Sequence, residues 1–74
     1  MNNNGKGEKE MTTINEKTRI YRFPNNEWIE VEDVQELEVS SSGGHRITTK
    51  TGKMYYIPFK WLAIEIESDH GWEM

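Results

Sequence analysis

HRITTKTGKMYYIPFKWLAIEI, residues 45–66, is the stretch whose reading decides the fold. Ile47 and Thr49 alternate with Arg46, Thr48 and Lys50, the period of two that a half-buried strand requires. Thr51-Gly52 breaks the run, and Gly52 can take a positive φ without steric cost, as a short hairpin loop demands. Beyond it Lys53, Tyr55 and Ile57 point one way, Met54 and Tyr56 the other. Pro58 ends this strand because it has no N–H to give the ladder. Residues 59–62 are too few for an α-helix and are expected to make one 3₁₀ turn. Residues 63–67 then alternate cleanly as a closing strand.

Upstream, Arg19-Ile20-Tyr21-Arg22-Phe23 reads as a first strand and Pro24-Asn25-Asn26-Glu27 as a turn, since asparagine tolerates left-handed geometry. Trp28-Ile29-Glu30-Val31 starts a second strand, which Glu32-Asp33 interrupts. It resumes over residues 34–40 with Leu37 and Val39 inward and Glu36 and Glu38 outward. A helix over residues 31–39 competes, because Val31, Val34 and Glu38 share a helical face. Glu38 sits badly on that face and valine is a poor helix former, so strand is preferred. Ser40-Ser41-Ser42-Gly43-Gly44 is a loop.

Residues 1–17 are polar and poor in apolar side chains, which predicts a disordered tail. Lys6-Gly7-Glu8 is encodable by a purine-rich, ribosome-binding-like stretch, so Met11 is a candidate start. Residues 69–74 read as a flexible end carrying Trp72. The sum is an all-β chain, a small antiparallel barrel of about five strands over residues 18–68. Its expected interior is Ile20, Ile29, Val31, Leu37, Val39, Ile47, Ile57, Leu62, Ile64 and Ile66.

The order Tyr55-Tyr56-Ile57-Pro58, a short turn, then a closing strand resembles the end of SH3-like barrels. That resemblance implies a barrel in which a proline-led 3₁₀ turn precedes the last strand. The acidic–aromatic signature with which SH3 domains bind proline-rich peptides is missing, so that ligand is not implied. Residues 31–57 also resemble the opening strands of LytTR-type DNA-binding domains, but the acidity runs against that assignment.

At 74 residues there is room for one small domain, and with 34% hydrophobic residues its core is thin. The chain has no cysteine, which excludes disulfides and thiolate metal sites and suits a reducing cytoplasm. No apolar run is long enough for a membrane-spanning helix. The net charge of −4 opposes a general grip on nucleic acid, whose affinity is mostly phosphate neutralisation.

Catalytic chemistry finds little support. His45 and His70 have no metal-ligand spacing, the serines at 40–42 lie in no nucleophile turn, and the glycines form no phosphate loop. No enzyme activity, cofactor or metal is therefore expected. His45 reads as a strand-edge residue and His70 as part of the end.

Charge segregation says more. Glu27, Glu30, Glu32, Asp33, Glu36 and Glu38 follow one another without a lysine or arginine, and Arg46, Lys50, Lys53 and Lys60 without an acid. On a barrel this gives one acidic and one basic face. Solubility alone would account for it; the functional account is an acidic surface that docks on a basic partner. The eight aromatics exceed what so small a core can hold, so some cap the barrel ends or anchor an interface.

Two functions follow. One is a protein–protein interaction module, an adaptor or inhibitor of the kind common on phages and mobile elements. It would bind a partner with a basic surface through Tyr21, Phe23, Trp28, Tyr56 and Trp61 beside Glu30, Glu36 and Glu38. The other is a nucleic-acid-binding barrel using Arg46, Lys50, Lys53 and Lys60 on phosphate, with a tyrosine stacked on bases. Self-association through residues 19–23 as an edge strand is a third expectation.

Overall fold

The computed structural model describes residues 11–73. Among them six strands, β1 (Met11–Phe23), β2 (Glu27–Val39), β3 (His45–Thr49), β4 (Met54–Ile57), β5 (Ala63–Ser68) and β6 (Gly71–Glu73), form one antiparallel sheet in the order β4-β3-β2-β1-β5-β6. The sheet is open, with β4 and β6 at its edges. The all-β, antiparallel expectation holds. The five-stranded closed barrel is replaced by six strands in an open sheet.

The central hairpin is as the alternation requires. Ile47 pairs with Tyr55 and His45 with Ile57, while Gly52 sits at φ 90° and donates its N–H to the Thr49 carbonyl at 3.0 Å. Ile47, Thr49 and Ile57 are buried; Arg46, Met54 and Tyr56 are exposed. The other tight connection places Asn25 at φ 69° and Asn26 at φ 61° between β1 and β2, the left-handed geometry that asparagine accepts.

Four expectations change. First, β1 begins at Met11, so residues 11–17 are strand; residues 1–10 of the expected tail lie outside the described residues. Their polar side chains said tail, but Met11, Thr12 and Thr13 pair with Glu38, Leu37 and Glu36, and pairing satisfies the backbone whatever the side chains. Second, β1 is central and not an edge, because β2 and β5 flank it. Third, the end contains β6, a three-residue strand on β5. Fourth, residues 59–62 make no 3₁₀ turn: the chain bends at Phe59 and Leu62, and the Lys60 N–H donates to the Pro58 carbonyl at 2.8 Å.

Paired residues of neighbouring strands project from the same face, so the register sorts the molecule into two sides. The inner face carries Tyr21, Val31, Val34, Ile47 and Ile57, all essentially sealed from solvent, with Ile29, Leu37, Tyr55, Trp61 and Ile64 packed on them. Val31 and Val34 are three apart, which strict alternation would put on opposite faces. Asp33 between them is left-handed at φ 56° and resets the phase. Glu16 and Arg19, their register partners on β1, meet on the same side as an ion pair. Val39 and Leu62, expected inside, are exposed.

Candidate docking face

The outer face is built around β1. Ile20 has Glu30 of β2 and Glu65 of β5 as its two register partners. Thr18 has Glu32 and Glu67, and Glu67 in turn has Trp72 of β6. Arg22 has Trp28 and Ala63. Four glutamates thus form two columns astride β1, with Trp72 at one corner and Trp28 at the opposite one. Strand geometry spaces the columns about 9.5 Å apart and the acids within each about 6.7 Å. The acids within a column stand inside one Debye length at physiological salt, about 8 Å, and the columns just beyond it; Arg22 offsets the charge of Glu65, and the face keeps a net negative field.

Local contacts hold the layout. Arg22 donates from Nε and Nη2 to the two Glu65 carboxylate oxygens at 3.1 Å each. Its guanidinium also stands 5.8 Å from the centre of the Trp28 ring. Thr18 Oγ1 donates to Glu67 Oε1 at 3.2 Å. Thr18 and Ile20 are nearly covered, whereas Trp28 is 57% and Trp72 54% exposed. An indole left half in water beside acids is the kind of side chain that anchors an interface. Around the edge from Trp28, Phe23, Asn26, Glu27, Ile29, Pro58 and Lys60 complete an open, mostly apolar groove of ≈ 600 Å³.

The other sequence candidates are dispersed. Tyr21 is fully buried and belongs to the core; its phase with Ile20 is the reverse of that expected, since the register sets Tyr21 between Ile29 and Ile64 and Ile20 between Glu30 and Glu65. Burial raises its phenol above the ordinary value. Phe23 and Trp61 are half-buried, and Trp61 packs between Phe59 and Tyr21, with ring centres 4.9 Å from each. Glu36 and Glu38 lie farther along β2, opposite Thr48 and Arg46. Tyr56 is exposed, with Arg46 5.7 Å from its ring centre and its hydroxyl 3.0 Å from Ser42 Oγ. The Ser42 hydrogen bond holds its phenol below the ordinary value.

The basic residues do not gather. Arg46 stands between Glu38 and Tyr56. Lys53 shares a cleft with Glu30, Glu32 and Asp33, the Lys50 N–H donates to the Asp33 carbonyl, and Lys60 lines the Trp28 groove. Pairing of the acidic strand β2 with the hairpin that carries Arg46, Lys50 and Lys53 mixes the charges that the linear order separates. The acidic surface is assembled instead from β2 and β5, so Glu65, Glu67 and Trp72 join the candidates. The cleanly alternating Glu65 and Glu67 were the only hint of this in the sequence.

Among the described residues, no three His, Asp or Glu side chains gather as a metal site. No helix among them is long and apolar enough to cross a membrane. No family model, curated protein or solved structure matches the chain. The geometry alone speaks for function.

Proposed function

We propose that this chain is a small protein–protein interaction module, an adaptor or inhibitor, acting in the cytoplasm. It docks a partner's basic surface onto the outer face, with Glu30, Glu32, Glu65 and Glu67 setting charge and Trp28 and Trp72 supplying apolar anchors. One observation carries this reading: residues on β2 and β5 meet across β1 as two acidic columns between two half-exposed indoles. The acids steer encounter and register, while affinity rests mainly on the rings. Dispersal of Arg46, Lys50, Lys53 and Lys60 among acids argues against the nucleic-acid reading.

The test uses the immobilised intact chain beside Glu30→Gln/Glu32→Gln and Trp28→Ala/Trp72→Ala, with source-cell lysate passed over each, with and without nuclease. A single protein with a basic surface, retained by the wild type under both conditions and lost by both variants at unchanged circular dichroism, is the expected result. Retention that vanishes with nuclease would move the assignment to nucleic acid. Retention indifferent to both variants would place the docking surface elsewhere.

A further inference from the structure

Away from the outer face, a line of polar contacts crosses the protein interior. Arg19 donates from Nε and Nη2 to the two Glu16 oxygens at 2.7 and 3.0 Å, and from Nη1 to the Tyr21 hydroxyl at 3.1 Å. That hydroxyl lies 2.6 Å from Nδ1 of His45. A guanidinium can only donate, so the Tyr21 oxygen accepts from Arg19 and its one proton goes on to His45. Nδ1 is therefore the acceptor, and the ring proton sits on Nε2. With a proton on Nδ1, the N–H and O–H would face each other and a buried hydroxyl proton would lose its acceptor.

His45 is also a packing element. Its ring centre is 4.6 Å from that of Trp61 and 5.6 Å from that of Tyr21. Trp61 sits in the irregular segment 58–62, whose Pro58 and Lys60 form one wall of the Trp28 groove. We propose that His45 is a proton-sensitive latch: neutral, it accepts the Tyr21 proton and keeps Trp61 seated, and on protonation at Nδ1 it frees Trp61 and segment 58–62, reshaping the groove.

The groups facing the ring fit this role. From β1 come Arg19 and Tyr21, with Glu16 behind Arg19. Its register partners, Val39 on β2 and Ile57 on β4, do not titrate, and segment 58–62 presents Trp61. Burial, and then the charge of Arg19, oppose an imidazolium there.

The test is ¹⁵N NMR of the intact chain from pH 7.5 to 4.5, with the Trp61 indole signal assigned through Trp61→Phe. At pH 7.5 the His45 Nδ1 shift is that of an unprotonated acceptor. His45 then titrates below the ordinary value of about 6.5, and the Trp61 signal moves with the same midpoint. Tyr21→Phe, which removes the donated proton but keeps the ring, raises that midpoint. A proton on Nδ1 at pH 7.5, or a Trp61 signal that stays still while His45 titrates, overturns the latch, and both are read on the wild type even if the variant fails to fold.

Discussion

Glu30 on β2 and Glu65 on β5 flank the same residue, Ile20 of the central strand, and so stand one strand apart on the same face. Neither is near the other in the chain. Their meeting, repeated by Glu32 and Glu67 across Thr18, turns scattered acids into a surface.

If that surface docks a partner, Trp28→Ala should cost binding and not folding. The ring is more than half exposed, and exposed substitutions generally fall within about 0.5 kcal/mol. Urea melts of wild type and variant should superimpose, while retention of the partner falls at least about tenfold if the ring is an anchor. Retention should also weaken as salt is raised from 50 to 500 mM, read on the same column.

The ion pair of Glu16 and Arg19 behaves differently, because both side chains are at least nine-tenths buried. Arg19→Met leaves the Glu16 carboxylate without its partner and should cost about 3–5 kcal/mol. The double variant Glu16→Leu/Arg19→Met removes both charges and should recover much of that loss. Equilibrium denaturation in urea measures both; equal losses in single and double variants would mean that packing, not charge, dominates.

His45 makes stability depend on pH with a definite sign. Its folded value lies below the unfolded one, about 6.5, so between the two the unfolded chain binds more protons. The contribution is therefore complete above about pH 6.5, falls as pH drops from there towards the folded value, and is flat below it. Urea midpoints across pH 5.0–7.5 should rise with pH in the wild type, and the slope should diminish in His45→Gln.

Gly44 is required by closeness and not by φ. A Cβ there would meet the Tyr56 hydroxyl, lie 2.7 Å from the ring carbon bearing it and 2.9 Å from the Ile57 carbonyl oxygen. The backbone of β4 cannot yield as a flexible side chain would. Gly44→Ala should destabilise by about 1–3 kcal/mol and raise the exposure of Tyr56, read by urea melts and tyrosine fluorescence.

Much of the fold was legible because it is local. The hairpin of Ile47 and Tyr55 follows from alternation and Gly52, and the β1–β2 turn from Pro24 and two asparagines. The start of β1 was not legible, since the polar residues 11–17 become a strand only by pairing with the second half of β2. Nor was the phase of β1: Ile20 and Tyr21 are both apolar enough for either side. Of the candidate docking face, Trp28 and Glu30 could be picked out from exposure arguments, whereas Glu65, Glu67 and Trp72 required the register.

The sequence by itself determined that this is an antiparallel β protein, where its turns fall and which way the central hairpin faces, because alternation and turn chemistry act over a few residues. Only the tertiary structure decided that the sheet stays open, that β1 lies between β2 and β5, and that four glutamates share one face. It also decided that the Tyr21 hydroxyl and His45 Nδ1 meet inside, 2.6 Å apart. Those outcomes depend on which strand lies beside which, and strand pairing is made by backbone hydrogen bonds that no side chain announces.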